Sequence, residues 1–172
     1  LFPDTAYGVE SGGDPASIPD LTYEDYLAFH KKYYHPSNSY LYLYGNMDME
    51  EKLNWIDENY LSHFEKIEVD SEVRLQKPFA ERKEEYGFYS VTEGEDTEGK
   101  AYFSYNTVCG DGLDRNLYRA FPVLSYVLVQ SIGAPLKQAL LDAGIGNDIS
   151  CYYEESVRQP FFSIIAKNVK ME

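Results

Sequence analysis

Apolar and polar positions recur with two different periods along this chain, and the period marks each element. Residues 1–20 hold three prolines and three glycines without periodicity and read as a loop. Thr22 and Asp25 then form a T-x-x-D capping pair that opens a helix. Tyr26, Phe29, His30 and Tyr33, with Leu27 and Tyr34, recur at three- and four-residue spacing, and Pro36 closes the run. Ser39–Gly45 alternates Tyr with Leu, which predicts a strand covered on both faces. Asp48 and Glu51 make a second capping pair, with Met49, Leu53, Ile56 and Tyr60 as the apolar face behind it. Residues 65–85 are polar and read as a connector. Tyr86–Val91 and Ala101–Cys109 alternate on either side of an acidic turn, residues 92–99, which predicts a hairpin. A long apolar helix is expected from about Asp114 to Ser131, where Pro122 marks a bend or a late start. Pro135 opens a short helix, Leu136–Ala143, that Gly144 ends; strands Ile149–Glu154 and Phe161–Ala166 follow. Hairpins dominate this order. The expected fold is α+β, a mostly antiparallel sheet of about five strands with helices packed on one face, in a single lobe over residues 1–172.

Composition narrows the partners. The chain has 172 residues with 29 Asp and Glu against 15 Lys and Arg, a net charge of −14, of which the first hundred residues carry −13. Such acidity opposes sequence-independent nucleic-acid binding and anionic lipid surfaces. No apolar run approaches a membrane span. Seventeen Tyr and nine Phe argue against disorder, and packing is a better account of the tyrosines than a stacking platform for sugars or peptides. Cys109 and Cys151 lie in separate strand-like runs, which predicts two buried reduced thiols. With no N-x-S/T acceptor, that usage points to the cytoplasm, with an organelle matrix as the alternative. A chain that begins at Leu1 and stops just after a strand-like run reads as a fragment of a larger protein.

The candidate chemistry is thin. His30 and His35 are five apart, roughly 140° around a helix, so they cannot share one metal. His63 falls near a helix C-terminus, where a cation meets the dipole. No H-x-x-E-H or H-E-x-x-H occurs. Gly110-Asp111-Gly112 precedes a helix, but Arg115 takes the third glycine position of a phosphate loop. The acidic turn lacks the EF-hand spacing, and no G-x-S-x-G elbow is present. The reading therefore assigns no catalytic residue, no metal ligand and no cofactor to this chain. Gly12, Gly13 and Asp14, followed by Pro15, remain: this loop either presents bare backbone N–H groups to an extended ligand or is simply a turn.

Two stretches carry a family resemblance. Ser11–Glu51 has a glycine loop, a helix opened by Leu21-Thr22, the helix end Phe29-His30-x-x-Tyr33-Tyr34-x-Pro36-Ser37-Asn38, and a strand leading to Gly45. Gly133–Gly146 is a helix of small residues and leucine that ends in Gly. Together they resemble the insulinase (pitrilysin-type) zinc metallopeptidases, most closely the presequence-protease branch. Ala134, where the family often has Ser, and the tyrosine-rich run before Gly45 depart from the pattern. The resemblance implies the second lobe of the first half of a clamshell-like peptidase, in which zinc and a glutamate activate water against a peptide carbonyl. The zinc motif is expected upstream of Leu1, and the Arg and Tyr that help bind substrate downstream of Glu172. Zinc is then a cofactor of the parent, and the partners are a peptide substrate and the other lobes of the same polypeptide. Gly12, Gly13 and Asp14 are the candidate substrate-binding residues. The alternatives are a scaffold or peptide-binding homologue of the same fold without zinc, and an unrelated aromatic-rich binding module.

Overall fold

The computed structural model describes residues 1–171. The chain divides into two compact units, Val9–Val73 and a second formed by Leu1–Gly8 with the chain from Arg74 onward.

In the unit Val9–Val73, α1 spans Tyr23–Tyr33 and α2 spans Met49–Asn59. Both start where the capping pairs place them. Thr22 Oγ1 accepts the Asp25 N–H at 3.1 Å, and Asp48 Oδ1 accepts the Glu51 N–H at 3.0 Å, each satisfying one orphan donor of a first turn. Glu24 and Asp25 in one first turn, and Glu50 and Glu51 in the other, complement the helix dipole. Neither helix buries a residue: the apolar positions Tyr26, Phe29, Leu53 and Trp55 are all exposed. Residues 40–44 do not join a sheet, and Tyr40, Tyr42 and Tyr44 stand free of packing except for the parallel Tyr42 and Tyr44 rings, 6.5 Å apart. The expectation that the tyrosines mainly pack is corrected here. Alternation makes a segment extended, but only a paired neighbour makes it a strand and covers its side chains.

The other unit holds the sheet. Strands β1 (Ala101–Val108), β2 (Asp148–Glu154) and β3 (Phe161–Val169) pair antiparallel in the order β1-β3-β2. The class is α+β as expected, but the sheet has three strands rather than about five. Ser39–Gly45 and Tyr86–Val91 are the missing two. The acidic turn does form: Glu95 N–H donates to Thr92 O at 3.0 Å, and Glu95 pairs with Lys100. The segment before it reaches the start of β1 through Tyr89, whose hydroxyl donates to Lys100 O and whose ring meets Tyr102 edge-on at 5.6 Å.

Helices cover one sheet face. α3 (Arg115–Ser125) is capped by Asp114, whose carboxylate accepts the N–H groups of Asn116 and Leu117. Pro122 lies inside it and removes a ladder donor. Downstream the ladder widens into a π-helical turn, Tyr126–Gln130, closed by Ser131 N–H to Tyr126 O at 2.8 Å. The continuous helix expected to Ser131 therefore ends as α-helix at Ser125. α4 (Pro135–Asp142) follows, and Gly144, at φ 72°, ends it. Gly144 N–H donates to Leu141 O, and Ile145 N–H to Leu140 O. Val129 packs with Ile149, Cys151, Phe162 and Ala166, and Phe121, Leu128, Leu136 and Leu140 close over them.

Cys109 and Cys151 are both free and buried, and burial pushes both thiols above their usual range. Cys109 lies opposite Pro160 and Cys151 opposite Ile164, on the two sides of β3. Strand geometry separates them by on the order of 15 Å, far outside disulfide reach. Iodoacetamide at mild alkaline pH is expected to label neither until denaturant is added. Fast labelling of the folded protein, read by mass spectrometry, would contradict this packing.

Candidate functional site

The loop that holds Gly12, Gly13 and Asp14 lies in the unit Val9–Val73 and is built from consecutive turns. Gly13 N–H donates to Glu10 O at 3.1 Å. Asp14 Oδ1 accepts the Ala16 N–H at 2.9 Å, and Asp14 O accepts from both Ser17 and Ile18. Gly13 sits at φ 85°, and a Cβ there would meet the Ile18 side chain at 3.2 Å. Gly12 faces open space. Gly13 is thus explained by its backbone, whereas nothing in the turn itself requires glycine at Gly12. All three residues are exposed.

Two of the three histidines, His30 and His35, are engaged elsewhere. His30 stacks on Tyr34 at 4.7 Å, one turn along α1. His35 Nδ1 accepts the Ser37 N–H at 3.1 Å and its ring meets Phe64 edge-on. Among the described residues no group of three or more His, Cys, Asp or Glu side chains gathers to hold a metal, so the residues described do not fit a zinc site.

One construction in the sheet-bearing unit lies outside the sequence-based expectations. Gln76, buried at 6% exposure, is held from two sides. Its Oε1 accepts the Asp4 N–H at 2.9 Å, and its Nε2 donates to Asp4 Oδ2 at 2.6 Å. Its N–H donates to Gln159 Oε1 at 2.6 Å, and Gln159 Nε2 returns a bond to Gln76 O. Tyr7 Oη accepts the Arg158 N–H at 3.1 Å, while Arg158 pairs with Asp111. The N–H of Leu113 first, and then that guanidinium, hold the Asp111 carboxyl below its usual range. Phe2 packs on Phe161 at 5.9 Å. These contacts tie residues 1–8 beside the start of β3 and leave an open cavity of about 530 Å³ between them, lined in part by Phe2, Tyr7, Asn106, Val157 and Phe161. The signal was Phe2 and Tyr7, two large apolar side chains in a stretch otherwise of loop composition.

Residues 20–170 match the model of the Peptidase M16 inactive domain. A protein of Clostridium perfringens, Protein HypA, is 50% identical over 99% of this chain. The mitochondrial presequence protease of Xenopus tropicalis and the chloroplastic/mitochondrial presequence protease 1 of Arabidopsis thaliana are each 34% identical over all of it. The chain spans only 16–18% of the length of these relatives.

Proposed function

The chain belongs to the M16 peptidase family, matching its inactive domain, and on that premise we propose that it is a single non-catalytic lobe of a zinc-dependent oligopeptidase. In this reading it supports the zinc-bearing lobe, walls part of the chamber that receives short unstructured peptides, and presents the Gly12–Asp14 loop toward them. The match over residues 20–170 to an inactive domain is the observation that carries it. Relatives named as presequence proteases support a peptide substrate; two of them are named mitochondrial or chloroplastic, whereas the 50% identical Protein HypA comes from the bacterium Clostridium perfringens, in keeping with a cytoplasmic location. No helix of the described residues is long and apolar enough to cross a membrane. The zinc and the general base belong to the parent polypeptide outside these residues.

Charge supports the same reading. The unit Val9–Val73 carries 14 carboxylates against 4 lysines. A field of that sign raises the local concentration of basic peptides and weakens with salt. Gly12 is the position to test, because a side chain there meets open space and leaves the fold intact. In the full-length protein, Gly12→Phe is expected to lower turnover of a short basic peptide about tenfold, equivalent to 1.4 kcal/mol. The thermal unfolding midpoint should not move. Unchanged turnover removes this loop from the substrate path.

A further inference from the structure

The open cavity of about 530 Å³ beside the start of β3 has walls that are held in place by the chain itself. Phe2, at 7% exposure, stands between two rings, Tyr7 edge-on at 5.8 Å and Phe161 at 5.9 Å. Residues 2–8 fold back on themselves, with Thr5 N–H donating to Phe2 O at 3.2 Å and Gly8 N–H to Thr5 O at 3.0 Å. That return is tight: a Cβ on Gly8 would lie 2.8 Å from Phe2 O and 2.9 Å from Pro3 O. The bonds from Asp4 to Gln76, and from Gln76 to Gln159, then fix the turn against the rest of its unit. Walls built in advance spare a ligand the cost of ordering them.

The lining is apolar apart from two side chains, Asn106 and Tyr7, and none of the described residues around the cavity carries a charged one. Asn106 is held by its neighbours. Its Oδ1 accepts the hydroxyl of the fully buried Ser163 at 2.6 Å, and one Nδ2 hydrogen goes to Ser104 Oγ at 3.1 Å. The other Nδ2 hydrogen meets no acceptor among the described residues. Tyr7 Oη accepts the Arg158 N–H at 3.1 Å, and its own hydrogen likewise has no acceptor there. Each of the two side chains therefore keeps one donor hydrogen to offer. The Arg158 guanidinium is engaged with Asp111.

We propose that this cavity is a binding site for a small neutral molecule that joins a planar aromatic ring to a hydrogen-bond acceptor, such as a ketone or amide carbonyl. The volume falls in the range of small-molecule sites, and mostly apolar walls with a few placed polar groups are their usual make-up. The ring packs against Phe2 and Phe161, where offset and edge-on contacts are available. The acceptor takes the spare hydrogen of Asn106 or of Tyr7, and so sets which way round the ligand lies. A charged ligand is disfavoured, because it would give up water without meeting a counter-ion in the lining. Residues 1–8 form one wall, and Asn106 of β1 and Phe161 of β3 form another, so an occupant binds the two together. The site is separate from the Gly12–Asp14 loop and from the peptide, and it stands whether or not that loop faces substrate.

Fluorine NMR tests it in the full-length polypeptide that carries this chain. The probe is para-fluoroacetophenone, which has the ring and the carbonyl and no charge. Its dissociation constant is expected on the order of 1 mM, as suits a ligand of so few atoms. The comparison probe, para-fluoroethylbenzene, keeps the shape without the acceptor and should bind about tenfold more weakly. Asn106→Leu should bring the ketone down to the affinity of the ethyl compound and leave the ethyl compound where it was. Because that change also strips a partner from the buried Ser163, a second variant supports the test: Val157→Trp fills the cavity from its lining and should abolish binding of both probes. Equal affinities for the two probes overturn the proposal. So does ketone binding that Val157→Trp leaves unchanged, which would put the probe elsewhere in the polypeptide. Absence of binding at about ten times the expected constant overturns it as well. Turnover of the Gly12→Phe variant reads the lobe's function independently, so either idea can fail while the other stands.

Discussion

Replacing Gly146 with alanine is expected to remove about 3 kcal/mol of stability and to lower the unfolding midpoint by roughly 10 °C. Two separate costs combine. Gly146 sits at φ 71°, where an L side chain costs roughly 1–2 kcal/mol. The added Cβ would also lie 2.6 Å from Lys167 O and 3.2 Å from the Cβ of Ala166. Ala166 is 1% exposed and belongs to the central cluster, and Lys167 lies opposite Asp148 at the start of β2. Relief of the clash therefore pulls β3 from β2 beside the buried Ala166. Gly144 supplies the control: its φ is 72°, but a Cβ there meets nothing within 4 Å. Gly144→Ala should cost only the backbone strain, about 1 kcal/mol. Urea unfolding of the two variants isolates the contact. Equal losses would show that the sheet yields freely around Lys167.

Local signals were readable from the residues, and long-range pairing was not. Thr22 and Asp48 each cap a helix with their own side chains, so a short motif contains the whole interaction. Gly144 ended α4 for the same reason. Tyr40–Tyr44 and Tyr86–Val91 carry equally clear alternation, yet pairing needs a partner that no local pattern names. Pro122 was readable as a disturbance, but its outcome, a π-helical turn four residues later, depends on how Ser125 and Val129 seat against the sheet. The candidate site divides in the same way. The five-residue spacing of His30 and His35 was enough to argue against a metal shared by those two. For Gly12 and Gly13 the residues left a turn and a ligand-facing loop equally open, and only the positive φ of Gly13 separates the two positions. Gln76 had no local signature at all, because its partners Asp4 and Gln159 lie 72 and 83 positions away.

The second large effect concerns activity, and it is all or none. A non-catalytic lobe should contribute structure and peptide contacts without chemistry, so severing it from the rest should abolish turnover rather than reduce it. The most direct measurement compares the full-length polypeptide with this 172-residue chain, using zinc content and cleavage of a short unstructured peptide before and after chelation. The full-length protein is expected to hold zinc and to lose cleavage when it is chelated, while the isolated chain holds no stoichiometric zinc and cleaves nothing. A full-length protein that binds the peptide but holds no zinc would instead identify a scaffold of the same fold. Zinc-dependent cleavage by the 172-residue chain alone would contradict the account outright.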